Sequence, residues 1–398
     1  MKVLSVLHFP VFGGPHNRNA RIGGLLRGNG VDTTLLLPIE ADAAAERVRS
    51  HGCETLLMPL ARLRRTLNPA THVRFMFEFR ANVRAISDVI VGQGIDVVVV
   101  NGLMNPHAAI AARRTGRPVV WQILDSFPPP AVRAVMRPLV KQYATVVMST
   151  GAQVARDHLG RPETSPPTVL FHPPVDLKRF SPSCEVRNRM RSELGFVGDA
   201  WVVGNVANVN PMKGHLTFVK AAVALRAQLP HANFVIFGQT YPHHAEYAKR
   251  VLDEARKAGF VPGHDFRIVD PGRRVDELAQ ALDLYWVSSE PRSEGISTAA
   301  EEAMALGIPV VSTATGSMAE IVRDGETGFM VGERDADGLA SRSLQIAMDP
   351  ELHRKMCAGA RNFALGKFDV SRCAQIHHAA YRAALGDLQA LETVELWR

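Results

Sequence analysis

Short β-branched runs alternate with helical stretches from one end of the chain to the other, the pattern of parallel α/β sheets. In the first half the runs fall at 2–8, 33–37, 55–58, 96–100, 118–123 and 145–148. In the second they fall at 201–206, 233–237, 266–269, 284–287, 309–312 and 328–331. Between the two sets lies HPPVDLKRFSP, His172 to Pro182, whose prolines disfavour helix and sheet alike. It reads as a linker, and 398 residues are more than one hydrophobic core usually serves. The expected organisation is two parallel α/β domains, 1–174 and 175–370. A last helical stretch, 371–398, has no new strand to cover and is expected to pack back on the first domain.

Charge separates the halves further. Through Pro174 there are 20 Lys and Arg against 11 Asp and Glu, a balance of +9, which leaves −2 for the remainder of a chain whose net is +7. The asymmetry points to an anionic partner for the first half. Nucleic acid is not expected, because no zinc finger, RNA-binding aromatic signature or basic run with stacking rings occurs. The four cysteines, Cys53, Cys184, Cys357 and Cys373, have no close pair, which argues against a disulfide framework and suits a reducing compartment. MKVLSVLHFP enters a strand pattern directly, so no signal peptide is expected and the cytoplasm is the expected location.

The most specific segment is SEGISTAAEEAMALGIPVVSTATGSMAEIVRDGETGFMV, Ser293 to Val331. Glu294 and Glu302 are eight residues apart, which on a continuous helix leaves them about 80° apart around the axis. They are not a facing acid/base pair of the glycosidase kind. With a helix starting near Ile296, Glu294 lies in the preceding loop and Glu302 two turns in, and the helix N-terminus between them offers free N–H groups to an anion. The plainer reading is a loop carboxylate and an exposed helix charge.

This segment resembles the donor-site signature of retaining glycosyltransferases of family 4, which have the GT-B fold. Ala303, Met304, Ala305, Gly307, Pro309 and Val310 follow the two glutamates as in that family, and Gly316, Glu320 and Gly328 agree. The resemblance implies two Rossmann-like domains facing across a cleft, the first binding acceptor and the second binding nucleotide sugar. It gives Glu294 to the hydroxyls of the donor sugar and Glu302 to the ribose, with Gly295, Ile296, Ser297 and Thr298 lining the donor between them. In VANVNPMKGHLTFVKAA, Lys213 and Gly214 match the Lys-Gly that opens a helix, so Lys213 is expected on the donor phosphates, balancing charge on the leaving nucleotide. Standing alone, Lys213 would be a solvated helix-start charge. Asn208 stands where the family has Arg, and Arg292 is the candidate replacement cation.

In FPVFGGPHNRNARIGG, Gly13 and Gly14 match the family's Gly-Gly loop after the first strand, which the resemblance sends toward donor phosphate or acceptor. They are expected to bind the donor, since lack of a Cβ lets backbone approach it. His16 and Arg18 read as acceptor or phosphate contacts, or as surface residues. Asp125 is expected to orient the acceptor or to cap the following helix. Leu124 replaces the family's usual histidine, and Ser297 its usual glycine. The resemblance further implies retention of anomeric configuration, no metal and no cofactor, with the nucleotide sugar as substrate. UDP is the commonest base in the family and GDP the alternative. Asp335-Ala336-Asp337 imitates a metal-binding Asp-x-Asp, but its place before a helix reads as an N-cap. His243-His244 and His377-His378 lack metal-ligand spacing. Two other functions stay open: a non-catalytic nucleotide-sugar-binding protein, and another sugar-nucleotide enzyme on this fold such as an epimerase.

From Leu60 to Arg84, Arg62, Arg64, Arg65, Arg74, Arg80 and Arg84 are set among Phe75, Met76, Phe77 and Phe79. Asn68-Pro69 reads as a helix start. Successive residues turn by about 100°, so four large apolar residues in five positions cannot all face one core. Cations beside exposed aromatics suit an anionic membrane surface. Residues 60–84 are therefore expected to dock the chain on the inner face of the cytoplasmic membrane, where a glycan or lipid-linked acceptor would be met. A buried helix with snorkelling Arg stems is the alternative.

Overall fold

The computed structural model describes residues 1–61, 69–196, 198 and 200–398, with 69–74 described by backbone alone. The chain divides into two compact units, Met1–Pro174 with Val370–Arg398, and Val175–Asp369.

The first unit is built on a seven-stranded sheet of β1 (Lys2–Val6), β2 (Asp32–Pro38), β3 (Glu54–Met58), β4 (Val97–Asn101), β5 (Val119–Ile123), β6 (Val146–Ser149) and β7 (Thr168–Leu170). Its order is β3-β2-β1-β4-β5-β6-β7, and each strand pairs parallel with its neighbours. A parallel sheet covered on both faces needs apolar side chains on both, which is why β4 reads VVVVN and is buried throughout. The second unit has six strands, β8 (Trp201–Val206), β9 (Ala232–Phe237), β10 (Phe266–Val269), β11 (Leu284–Val287), β12 (Val310–Thr313) and β13 (Gly328–Val331). Their order is β10-β9-β8-β11-β12-β13, again parallel.

Both orders reverse direction once. In the first sheet the chain winds outward from β1 on one side and from β4 on the other; in the second, from β8 and from β11. At such a switch point the loops leaving the two central strands diverge to opposite faces and open a crevice at the carboxyl ends of the strands.

The strand runs read from sequence recur within one or two residues, and β7 is the exception. At three residues inside SPPTVLFHPP it is too short for a periodic signal. Its partner on the outer side comes from the end of the chain: Leu170 N–H donates to Glu395 O at 2.8 Å and Trp397 N–H to Thr168 O at 2.9 Å. The helix Val370–Ala384 packs against the helix Gly14–Gly28 and buries Cys373, His377 and Tyr381.

The helix Pro69–Gly92 begins where the Asn-Pro pair predicts. Arg62, Arg64, Arg65 and Asn68 lie outside the described residues, as does the side chain of Arg74. Within the helix Met76 and Phe77 are 53% and 70% exposed, while Phe79 packs on the core and sets its ring edge-on to His107. The four apolar residues therefore divide between core and solvent, as helical geometry requires.

Candidate functional site

In the second unit the β8 loop and the β11 loop meet at the switch point. The β8 loop ends in a single 3-10 turn, Pro211–Lys213, and Gly214 then takes φ +62 as cap of the helix His215–Arg226. A Cβ at Gly214 would lie 1.9 Å from Ser288 O, so glycine is required both for the left-handed turn and for the approach of the two loops. Ser288 Oγ donates to Lys213 O at 3.1 Å, and Glu290 N–H donates to Met212 O at 2.9 Å. These contacts set Lys213 Nζ 2.6 Å from Glu294 Oε1. Ser289 Oγ donates to the same carboxylate oxygen at 2.8 Å. Glu294 is buried and Lys213 half-buried, so this charge-assisted bond is much less screened than a surface pair. His215, buried beside the lysine, is held neutral: burial, with Lys213 adding to it, pushes its pKa down to about 4.

The helix after Glu294 is Thr298–Ala305, two residues later than the sequence suggests, because Ser297 is its N-cap and accepts from Ala300 N–H at 3.4 Å. Serine in place of the family's glycine thus has a structural task here. The backbone of Glu294 and Gly295 is held from behind. Ser317 N–H donates to Gly295 O at 2.7 Å, and a Cβ on Gly316 (φ +50) would fall 2.3 Å from Glu294 O. Ile296 is buried in the core, which turns the chain into the helix, and Thr298 begins it. Glu302 is half-buried on that helix. Burial raises the pKa of Tyr285, and the carboxylates of Glu294 and Glu302 add to it. Lys213, Gly214 and Glu294 are thus brought together, Gly295, Ser297 and Thr298 follow Glu294 into the helix, and Glu302 lies one turn further along it.

Asn208 and Arg292 are exposed on the same two loops. Among the described residues, Arg292 (φ +65) and Arg334 (φ +55) are the non-glycine residues in left-handed backbone, which costs on the order of 1–2 kcal/mol each. Both adjoin Glu290, whose carboxylate is 2.5 Å from Arg334 Nε and whose carbonyl accepts from Ser293 and Thr315 hydroxyls. Ser289, Glu290 and Arg334 carry no signature that sequence reading would single out.

The first unit treats its candidates differently. Gly13 caps the helix Gly14–Gly28, and its N–H donates to His16 Nδ1 at 3.3 Å. A Cβ on Gly14 would meet no protein atom within 4 Å, so the packing of the chain itself does not demand glycine there. His16 is buried rather than a surface residue, with its pKa lowered to about 4 by burial. Arg18 is also buried. Its guanidinium donates to Asn101 Oδ1 at 2.7 Å and to Gln122 Oε1, and lies 5.2 Å from the Phe171 ring centroid. It is thus turned into the sheet. Asp125 Oδ1 accepts from Phe127 N–H at 3.0 Å and does not cap the next helix, Pro130–Tyr143, whose cap is Pro129. Asp335 does cap its helix, accepting from Gly338 N–H at 2.8 Å. His377 is buried edge-on to Phe171.

Residues 186–363 match the family model "Glycosyl transferases group 1", and residues 13–172 match "Glycosyl transferase 4-like domain". The chain belongs to the GT-B glycosyltransferases of the family 4 type. Among the curated relatives of this family member is the D-inositol 3-phosphate glycosyltransferase of Salinispora arenicola, 29% identical over 246 residues, 60% of this chain and 54% of that one. Another is the GDP-mannose-dependent alpha-(1-6)-phosphatidylinositol monomannoside mannosyltransferase of Mycolicibacterium smegmatis, 28% identical over 207 residues, 50% of this chain and 53% of that one. The chain thus spans little more than half the length of these relatives. The crystal structure of Anabaena HepE in complex with UDP shares the fold with a TM-score of 0.79 at 19% identity, covering 96% of this chain and 100% of that one.

Proposed function

We propose that this chain transfers a sugar from a nucleotide sugar to a hydroxyl of a glycan or lipid-linked acceptor, with retention of anomeric configuration and without a metal. The observation that carries the reading is the Lys213–Glu294 pair at 2.6 Å, set at a switch point beside the N-terminus of the helix Thr298–Ala305. A nucleotide sugar presents three features: a dianionic diphosphate, a sugar and a ribose. Lys213 and the free N–H groups of that helix suit the diphosphate, Glu294 the sugar hydroxyls and Glu302 the ribose. The exposed Arg292 and Asn208 flank the phosphate side. The second unit is thus the donor domain and the first the acceptor domain; Gly13 and Gly14 remain candidates for the donor phosphate, and His16 and Asp125 for the acceptor.

Catalysis rests on positioning and on stabilising the leaving group. The bond from the anomeric carbon to the phosphate oxygen breaks while the bond to the acceptor oxygen forms on the same face. The proton of the acceptor hydroxyl passes to the departing phosphate. Lys213 supplies the fixed positive charge that a metal supplies elsewhere, which supports metal independence. UDP is the first candidate base; the name of the mycobacterial relative keeps GDP as the second. No cofactor is required by this chemistry.

Among the described residues no helix is long and apolar enough to cross a membrane. The exposed Met76 and Phe77, in the unit that carries the basic excess, support docking on an anionic membrane face. Incubating the full chain with a panel of UDP- and GDP-sugars, with and without chelator, tests the reading through release of free nucleotide. Release in chelator is expected from at least one donor. Release that depends on added metal would remove the metal-independent mechanism, and binding of a donor with no release would favour a nucleotide-sugar-binding protein.

A further inference from the structure

The two central strands of the second sheet pair only briefly. β8 pairs with β9 over six residues, from Trp201↔Ala232 to Val206↔Phe237, but with β11 over two, Leu284↔Val203 and Tyr285↔Gly204. Past Gly204 the strands separate to form the crevice, and the backbone of β8 loses its neighbour on that side. At Val206 a side chain takes the neighbour's place. Val206 N–H donates to Tyr285 Oη at 3.1 Å, and Tyr285 Oη donates to Val206 O at 3.2 Å. One phenol hydroxyl closes both polar groups of a strand residue, as a paired strand would.

The residues at either end of this brace are those that carry the site. Val206 leads directly into the loop that bears Asn208 and Lys213. Tyr285 is buried on β11, in one core cluster with Ile296 and Ala300, and β11 leads into the segment that bears Glu294 and then the helix that carries Glu302. Thus the hydroxyl ties the strand that leads to the lysine loop to the strand that leads to the Glu294 segment.

We propose that Tyr285 is a positioning residue. Its hydroxyl stands in for strand pairing where β8 and β11 part, and so sets the spacing between Lys213 and the Glu294–Glu302 segment without itself touching the nucleotide sugar. This rests on the donor-site reading above. The alternative is a hydroxyl that merely satisfies buried backbone, which would affect stability and leave the chemistry alone.

Tyr285→Phe keeps the ring and removes the brace. In the full chain, with whichever donor the wild type uses, turnover is expected to fall about tenfold, while nucleotide affinity changes less than about threefold. The decisive arm is a double-mutant cycle with Lys213→Ala. If Tyr285 acts through the lysine loop, adding Tyr285→Phe to Lys213→Ala costs less than about twofold in turnover. Full additivity, or unchanged turnover in the single variant, overturns the proposal. Should Tyr285→Phe fail to fold, 3-fluorotyrosine placed at 285 retains ring and hydroxyl. Its ¹⁹F resonance is expected to shift when UDP or GDP saturates the site and to shift much less in Lys213→Ala; equal shifts in both, or none, overturn the proposal. A wild type inactive with every donor would instead count against the donor-site reading itself.

Discussion

At the point where strand order reverses, the Val175–Asp369 unit sets a lysine against a glutamate, whereas the first unit sets imidazoles and amides. Around the ends of β1 and β4 lie His8, His16, Asn101, Asn105 and His107, all buried. Asn105 Nδ2 donates to Val6 O at 3.0 Å, and burial, with His8 adding to it, pushes the pKa of His107 down to about 4. The contrast runs opposite to gross composition. With its C-terminal segment the first unit carries 23 Lys and Arg against 14 Asp and Glu, a balance of +9; the second carries 23 against 25, or −2. The basic unit therefore lines its switch point with neutral imidazoles and amides, with the Arg18 guanidinium turned into the sheet against Asn101 and Gln122, while the nearly balanced unit sets a half-buried lysine where the proposed donor's diphosphate would sit. Net charge reports the partner of a surface; the chemistry of a crevice depends on which charges the loops deliver to it.

The largest expected consequence of this difference is in acid. Four histidines of the first unit, His16, His107, His158 and His377, have pKa values lowered by burial to about 4, 4, 4 and 3; the second unit has one such, His215, at about 4. Between pH 6.5 and 4 the unfolded chain binds these protons and the folded chain does not. Stability is therefore intact above pH 6.5 and falls as pH drops toward 4, by on the order of 3 kcal/mol per histidine. The first unit should lose its structure at the higher pH. Fluorescence of variants retaining only Trp121 or only Trp286 reads the two units separately. Simultaneous transitions, or a first transition at Trp286, would break the comparison.

The same contrast bears on what could be read from sequence. Strand periodicity and the Pro-rich linker gave both sheets, because buried parallel strands leave continuous apolar runs. Lys213 and Glu294 could be singled out through the resemblance of their segments to the family signature, which includes Gly214 and Gly316, required where the loops approach closely; that the two side chains pair was not legible. The first unit offered less. His16 and Arg18 look like surface polar residues in a string, yet both are buried, His16 beside the Phe12 ring and Arg18 through its reach to Asn101 and Gln122 on distant strands. Tyr285 sits in LYWV as an ordinary core residue, since a hydroxyl replacing a strand partner has no period. The three residues of β7 depend on a strand partner some 225 positions away, beyond any local pattern.

A moderate effect tests the exterior of the first unit. Replacing Met76 and Phe77 together by serine should reduce co-sedimentation with anionic vesicles several-fold at low salt, and leave free nucleotide release from a soluble donor unchanged. Equal sedimentation of wild type with anionic and neutral vesicles would assign the basic excess to something other than a membrane. The smallest effect sharpens the other side. Asn208→Arg adds a cation on the β8 loop and should tighten nucleotide binding about three- to tenfold by calorimetry; weaker binding would mean that Arg292 already fills that place.

The central claim is that the second unit delivers Lys213 to charge that grows as the nucleotide leaves. Turnover and donor affinity measured side by side for wild type and Lys213→Ala test it most directly. A cation that acts mainly in the transition state should cost on the order of 2–4 kcal/mol in turnover when removed, and far less in binding. Turnover equal to wild type in Lys213→Ala would contradict the account, and would leave Lys213 as a charge at the start of a helix.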